Sequence, residues 1–214
     1  MLAEQKVVGS NPVGCTNLKL FEMKKTVWQS FLLYNFCMNE VIFKFFGTNE
    51  IWNKVTDILI AVVIGVFACF FAMGVYQWIK RKSLKKVDAE LLCMIPCSIL
   101  IAAIYVIFAK FCIVGYRPIL INGVAEPSFP SSHTLVAVTL LGMMLVALPK
   151  YIKKRGVRVA LGVLMALVAL VVGFGRMASG MHWFTDVMGG LIFGVDLVLL
   201  YEIILKITKE RQSE

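Results

Sequence analysis

The sequence predicts an all-α membrane protein, a polytopic helical bundle with five transmembrane helices and an N-terminal amphipathic helix. Three observations lead to this prediction. The chain is 59% hydrophobic and 16% charged, with a mean hydropathy of +0.82, whereas soluble domains carry about a quarter charged residues. Five apolar segments are long enough to cross a bilayer. Short clusters of basic residues separate these segments, which is typical of membrane topology.

The chain divides into four segments. Residues 1–22 have neither helical periodicity nor a signal-peptide pattern, and we expect a disordered tail or a mis-annotated extension. In the second case Met23 is the true start. Residues 23–50 contain the amphipathic helix, residues 51–208 form the membrane domain, and residues 209–214 form a tail.

The amphipathic helix is predicted between residues 27 and 46. Its polar side chains fall on one side of the helix, opposite an apolar stripe, and include Gln29, Asn35, Asn39, Glu40 and Lys44. Such a segment lies in the membrane interface or against the bundle. A sixth transmembrane span is the alternative, which Asn39 and Glu40 in mid-span disfavour.

The five spans are predicted at roughly 55–79, 88–109, 133–149, 157–174 and 184–206. Basic clusters at residues 80–86, 150–158 and 206–211 all fall on one side of the membrane. The positive-inside rule makes that side cytoplasmic, together with the C-terminus. The net charge of +9 is divided among these clusters and forms no single field, so a nucleic-acid partner is not expected.

Polar residues from separate points in the sequence meet on the opposite, extracytoplasmic side. They are three cations, two histidines, a carboxylate and two hydroxyls at a helix start, namely Lys110, Arg117, Ser131, Ser132, His133, Arg176, His182 and Asp186. Arginine forks, a lysine charge and a helix N-terminus all bind oxyanions. A tetrahedral oxyanion such as phosphate is therefore the expected occupant.

The two histidines distinguish catalysis from binding. They are the only histidines in the chain, and both belong to this group. His182 and Asp186 are spaced i, i+4 on a predicted helix, so the carboxylate can fix the imidazole tautomer and leave the other nitrogen as a nucleophile. His133 comes from a different span and can protonate the leaving oxygen.

These residues fall into three motifs: Lys110-x6-Arg117-Pro118, Pro130-Ser131-Ser132-His133 and Arg176-x5-His182-x3-Asp186. Their order and spacing resemble the signature K-x6-R-P, P-S-G-H and S-R-x5-H-x3-D of the type 2 phosphatidic acid phosphatase superfamily. The resemblance covers roughly residues 50–206. It implies a helical bundle, metal-independent phosphoester or diphosphate hydrolysis without a cofactor, and a covalent phosphohistidine.

The resemblance also implies a role for each residue. His182 would be the nucleophile, Asp186 its orienting carboxylate and His133 the general acid. The phosphate would be held by Lys110, Arg117, Ser131, the backbone N–H of Ser132, and Arg176.

Two positions depart from the family pattern. Ser132 occupies the glycine position, so phosphate must approach that amide past a Cβ. Gly175 replaces the serine before the arginine, which removes one hydroxyl. Neither change affects a residue of attack or proton transfer, and we expect altered rather than lost activity.

The expected substrate is a membrane lipid phosphate or diphosphate. A polyprenyl diphosphate such as undecaprenyl diphosphate is the first choice, because the outer-facing site and short bundle resemble bacterial undecaprenyl-diphosphate phosphatases of this superfamily. Phosphatidic acid or phosphatidylglycerol phosphate is the alternative, and a non-catalytic lipid-phosphate-binding protein is the alternative of another class. The sequence leaves the oligomeric state open.

Two features of the last span fall outside the motifs. Asp196 lies near the bilayer middle, where we expect a protonated or hydrogen-bonded acid in the bundle interior. Gly190-x3-Gly194 predicts a face for close helix packing.

Overall fold

The computed structural model describes residues 27–213, with side chains from residue 37 to residue 212. The predicted N-terminal extension, residues 1–22, lies outside the described residues. The helices are α1 (Val27–Phe46), α2 (Glu50–Arg81), α3 (Ala89–Val106), α4 (Ser132–Tyr151), α5 (Arg155–Ala178) and α6 (Phe184–Ser213). A 3₁₀ turn (Leu84–Lys86) precedes α3, and a π turn (Ile107–Phe111) follows it.

Five helices, α2 to α6, are long and apolar enough to cross a membrane, and α1 is not among them within the described chain. The prediction of a helical bundle with five spans is therefore confirmed. Helix α2 begins five residues before the predicted span, because Asn49 caps it. The Asn49 side chain accepts hydrogen bonds from the amides of Ile51 and Trp52 at 2.9 and 3.4 Å, which satisfies free N–H groups at the helix start.

Helix α4 is the centre of the bundle and packs against α2, α3, α5 and α6. Its buried side chains are mostly small or flexible, such as Ala137, Met143, Met144 and Ala147. The α4–α6 contact depends on the predicted glycine face: a Cβ on Gly190 would lie 2.7 Å from the Ser131 carbonyl oxygen, and one on Gly194 would lie 2.8 Å from Val138. Small residues thus let these two helices approach closely.

Helix α1 packs against α5 and α6. Val41 and Phe45 of the predicted apolar stripe are 61% and 81% exposed. The polar residue Asn39 instead faces the bundle: its side chain accepts a hydrogen bond from the Thr185 amide and donates one to the Thr185 hydroxyl. Asn39 therefore caps the start of α6, which the helical periodicity of α1 alone could not reveal.

Asp196 was predicted in the bundle interior, and this prediction is wrong. The residue is exposed on the outer surface of α6. It makes no hydrogen bond or ion pair with the described part of the chain. The glycine side of α6 faces α4, and Asp196 lies two residues beyond Gly194, where the helix has turned away from that contact.

The bundle has two chemically distinct ends. The end that carries His133 and His182 is called the site end, and the end that carries the 3₁₀ turn and Lys150 is called the basic end. At the site end, residues 112–131 connect α3 to α4 as a loop with two isolated antiparallel bridges, Tyr116–Pro127 and Ile121–Val124.

Candidate active site

Arg176 is a buried cation at the site end, near the C-terminus of α5, with 2% of its surface exposed. Its Nη1 donates hydrogen bonds to Asn53 Oδ1 at 2.7 Å, Thr56 Oγ1 at 3.3 Å and Asp57 Oδ1 at 3.3 Å, all on α2. Its buried Nε has no hydrogen-bond partner among the described residues. The guanidinium is thus held on one side and keeps a free donor, which is the arrangement that an oxyanion needs.

Gly175 explains how α5 comes so close to α2. A Cβ at this position would lie 2.5 Å from Thr56 Cγ2 and 3.1 Å from the Trp52 ring. The serine that the family pattern has here would clash with Thr56, whose own hydroxyl accepts from Arg176. The Thr56 hydroxyl of α2 therefore takes the place of the serine hydroxyl that the family pattern has at position 175.

His133 lies in the first turn of α4, with 23% of its side chain exposed. Its Nε2 is 2.9 Å from Asp57 Oδ1, the same carboxylate oxygen that Arg176 contacts. This contact is the one hydrogen bond of the His133 side chain within the described chain. Asp57 of α2 therefore contacts both His133 of α4 and Arg176 of α5.

His182 lies in the turn between α5 and α6, two residues before α6 begins, and not on the helix of Asp186 as predicted. It is 3% exposed. The turn passes through Gly180 with a φ of +72°, where a Cβ would lie 2.8 Å from Thr48 and 3.0 Å from a backbone oxygen, so glycine is required there. His182 Nδ1 is 3.6 Å from Asp186 Oδ2. This distance is longer than a hydrogen bond, so the pairing is electrostatic.

The other ring nitrogen of His182 faces a cation. Its Nε2 is 3.2 Å from Arg117 Nη1. Because a guanidinium only donates, Nε2 carries the lone pair, and the proton lies on Nδ1 towards Asp186. Burial, together with the charges of Arg117 and Arg176, lowers the pKa of His182 to about 4, although Asp186 acts in the opposite direction. The imidazole is therefore neutral at pH 7.

Asp186 and Ser131 connect the histidine turn to the start of α4. The Asp186 carboxylate accepts a hydrogen bond from the Trp183 amide at 2.9 Å, and its backbone oxygen accepts one from the Ser131 amide at 2.9 Å. Ser131 is fully buried, and its hydroxyl accepts from Thr134 at 3.1 Å. The Ser131 carbonyl oxygen also lies close to Gly190 of α6, and these contacts fix the first turn of α4 relative to His182.

Arg117 reaches His182 from the α3–α4 loop. Its Nη1 also donates to the Met181 carbonyl at 3.3 Å. Its Nε is 3.2 Å from Glu126 Oε2 in an ion pair without hydrogen-bond alignment. The backbone N–H of Arg117 donates to the Glu126 carbonyl at 3.0 Å. The loop therefore folds back on itself and presents the guanidinium to the histidine.

Two predicted site residues stand apart from these contacts. Lys110 lies in the π turn after α3, is exposed, and makes no hydrogen bond or ion pair with the described residues. Ser132 is the first residue of α4 and is partly buried. Their roles toward phosphate remain predictions.

Sequence reasoning missed the contribution of α2 and of the loop carboxylate Glu126. Asn53, Thr56 and Asp57 are spaced i, i+3, i+4, which puts them on one face of a helix that is otherwise apolar. That spacing could have indicated a polar contact at the start of the first span. The described residues contain no group of three or more His, Cys, Asp or Glu side chains placed to hold a metal ion.

Comparisons with known proteins place this arrangement in a family. A family model described as "PAP2 superfamily" matches residues 91–209. The fold is similar to the crystal structure of a transmembrane PAP2-type phosphatidylglycerolphosphate phosphatase from Bacillus subtilis, with 17% identity and a TM-score of 0.60, over 81% of this chain and 85% of that one.

A second similar structure is Aquifex aeolicus LpxE, with 19% identity and a TM-score of 0.46, over 76% of this chain and 91% of that one. No curated protein matches the chain. The family match covers more than half of the sequence and includes both histidines. The chain therefore belongs to the PAP2 superfamily and is a multi-pass membrane phosphatase.

Proposed function

We propose that the protein hydrolyses a lipid phosphate or diphosphate without a metal ion, through a phosphohistidine on His182, and that its substrate is a polyprenyl diphosphate. The observation that carries the mechanism is a buried, neutral His182 in contact with the partly buried Arg117 and close to the charge of the buried Arg176. A neutral imidazole is a nucleophile at neutral pH, and the cations stabilise the charge of the transferring phosphoryl group.

In the first step, the lone pair of His182 Nε2 attacks phosphorus. The bond to the leaving oxygen breaks, and that oxygen takes a proton from His133. Asp186 stabilises the positive charge that develops on the His182 ring, because its carboxylate is 3.6 Å from Nδ1. In the second step, His133 takes a proton from water as the water oxygen attacks phosphorus, and the phosphorus–nitrogen bond breaks to release phosphate and restore His182.

Arg117 and Arg176 hold the phosphoryl oxygens in this proposal. Arg117 Nη1 is already 3.2 Å from the attacking nitrogen, so a phosphoryl group bound by this fork would lie next to Nε2. Ser131, the Ser132 amide and Lys110 complete the predicted oxyanion site, with the N-terminus of α4 adding its dipole.

An apolar groove supports the choice of a long-chain lipid. It begins at Ser132 between α2, α3 and α4, in a cavity of about 340 Å³. Phe67, Ser98 and Ala102 also line the next cavity, of about 350 Å³, between α2 and α3. A third cavity, of about 200 Å³, continues the groove to Leu84 at the basic end. A groove that follows the bundle from end to end suits a chain longer than one leaflet, such as a polyprenyl chain. Phosphatidic acid or phosphatidylglycerol phosphate remains the alternative.

The experiment that tests this function is phosphate release from a panel of lipids in detergent with EDTA, for wild type and His182→Ala. The panel contains undecaprenyl diphosphate, phosphatidic acid and phosphatidylglycerol phosphate. We expect release by wild type, loss of at least about 10⁴-fold in the variant, and the highest kcat/KM for the diphosphate. A preference for a glycerophospholipid would replace the proposed substrate. Inhibition by EDTA would contradict the metal-independent mechanism.

The covalent intermediate has its own measurement. Wild type is mixed with ³²P-labelled substrate and quenched in alkali, where phosphohistidine survives and phosphoserine esters do not. We expect label on wild type and none on His182→Ala. A folded wild-type protein that binds the lipids but neither turns over nor takes label would instead be the non-catalytic binding protein.

We also propose that the site end is extracytoplasmic and that the C-terminus is cytoplasmic. The basic clusters at the other end support this orientation through the positive-inside rule. A C-terminal fusion to green fluorescent protein should fluoresce, and a fusion to a periplasmic alkaline phosphatase should be inactive. The reverse result would place the site on the cytoplasmic side.

A further inference from the structure

We infer that Asp57 forms a second histidine–carboxylate pair with His133 and positions it as the proton donor to the leaving oxygen. This inference rests on the proposed function. The contact that carries it is the 2.9 Å separation of Asp57 Oδ1 and His133 Nε2. The site thus contains one carboxylate for each histidine, on separate helices.

The contact specifies how the proton moves. A carboxylate accepts, so the Nε2–H of His133 donates to Asp57, and the proton to be transferred lies on the other ring nitrogen. As the oxygen–phosphorus bond breaks, the leaving oxygen takes that proton and His133 becomes neutral, with Nε2–H still bonded to Asp57. In the hydrolytic step the same nitrogen takes a proton from the attacking water. Asp57 stabilises the imidazolium in both steps.

Asp57 forms the ion pair of Arg176 within the described chain, but a role as a hydrogen-bond acceptor for Arg176 alone fits the contacts less well. Asn53 and Thr56 already accept from the same Arg176 nitrogen, and the Asn53 bond is shorter, at 2.7 Å. His133 has no other side-chain hydrogen bond within the described chain. Asp57 therefore adds a partner that His133 lacks, whereas Arg176 has two others.

The charge of Asp57 also favours a role in positioning His133. Its side chain is 51% exposed at the site, where a carboxylate repels a bound phosphate and so weakens substrate binding. Removing the charge is therefore expected to strengthen binding of inorganic phosphate while it slows turnover. Replacing a residue that only supported the fold would not be expected to strengthen phosphate binding while it slows turnover.

The test compares two substrates that differ in the leaving group. An alkyl phosphate must have its leaving oxygen protonated, whereas the nitrophenolate of p-nitrophenyl phosphate leaves without a proton. For Asp57→Asn we expect kcat/KM, which reports the attack on phosphorus and not the later hydrolysis, to fall about 10²- to 10³-fold with the alkyl phosphate. With p-nitrophenyl phosphate it should fall less than about tenfold, because that leaving group needs no proton. The inhibition constant of inorganic phosphate should stay constant or fall.

Two comparisons make the result specific. Asn53→Ala removes a neighbouring contact of Arg176 but none of His133, so it should raise KM equally for both substrates. The double variant Asp57→Asn, His133→Ala should be no slower than His133→Ala, because both changes remove one function. Gel filtration in detergent and thermal melting check that each variant folds.

Equal losses of kcat/KM with both substrates, or additive losses in the double variant, would overturn the role of Asp57 and leave the proposed function intact. A wild-type protein that releases phosphate from neither substrate nor lipid would overturn the proposed function and this inference with it.

Discussion

The two ends of the bundle use similar residues in opposite ways. At the basic end, Asp88 accepts hydrogen bonds from Gln77 at 2.8 Å and Tyr151 at 3.3 Å, and it forms ion pairs with Arg81 at 3.4 Å and Lys150 at 3.9 Å. Burial opposes its ionisation, but the Gln77 hydrogen bond and the charges of Lys150 and Arg81 outweigh burial and lower the pKa of Asp88. The hydrogen-bonding and charge requirements of the Asp88 carboxylate are therefore met within the protein.

The site end has the converse arrangement. The buried side-chain nitrogens and oxygens without a hydrogen-bond partner in the described chain all lie there, and they are Arg117 Nε, Ser128 Oγ, Arg176 Nε and His182 Nδ1. Two of the four belong to cations. Burying a donor without a partner is unfavourable by about 1–3 kcal/mol. The comparison shows that the basic end is built for stability, whereas at the site end Arg176 keeps a donor free for an anion.

Replacing Arg176 tests the site end most severely. For Arg176→Ala we expect kcat/KM to fall about 10²- to 10³-fold, because a preorganised donor to the phosphoryl oxygens is lost. Arg176→Lys is the matched control, since it keeps the charge but loses the fork and should recover only part of the rate. Steady-state phosphate release from folded protein is the measurement. A rate within threefold of wild type would show that the buried guanidinium serves packing alone.

The protonation of His182 gives the next largest effect. The chain has only two histidines, so His133→Ala leaves one imidazole for ¹⁵N NMR in detergent. We expect a titration midpoint at about pH 4, because burial disfavours the imidazolium. The unfolded chain takes up this proton near pH 6.5, so stability should fall as the pH drops from about 6.5 towards 4. A midpoint near 6.5 would contradict the neutral, buried nucleophile.

The basic end should show a smaller effect, and on stability only. Glu90 is 3% exposed, and Lys209 Nζ lies 2.8 Å from its Oε1. Lys209→Ala leaves this carboxylate unpaired, and we expect a loss of about 1–3 kcal/mol of stability. Lys209→Arg is the control that keeps the charge. The kcat of the protein that remains folded should not change, and a fall in kcat would show that the two ends are coupled.

The sequence predicted the features that depend on composition and local spacing. Five spans follow from apolar runs, and the pairing of His182 with Asp186 follows from an i, i+4 spacing. The approach of Arg117 to His182 was expected from topology, because alternating spans bring their ends to the same membrane surface.

The features that were missed depend on how helices rotate about their axes. The polar face of α2 turns towards Arg176, Asn39 of α1 turns towards α6, and Asp196 turns outward. Periodicity shows which residues share a face, and the neighbour that the face meets is set by tertiary packing. In a membrane protein an apolar helix can contact lipid or another helix with nearly the same side chains, so rotation is poorly encoded in the pattern.

The close contact at Gly190 limits which substitutions the enzyme can accept at that position. Position 190 touches no substrate in the proposed mechanism, yet a single added methyl group would meet the Ser131 carbonyl at 2.7 Å and push apart the amide and the oxygen that join Ser131 to Asp186. A laboratory-evolution experiment that selects only for turnover should therefore find this position intolerant of change, whereas lipid-facing positions such as Ile192, which is 56% exposed, should vary freely.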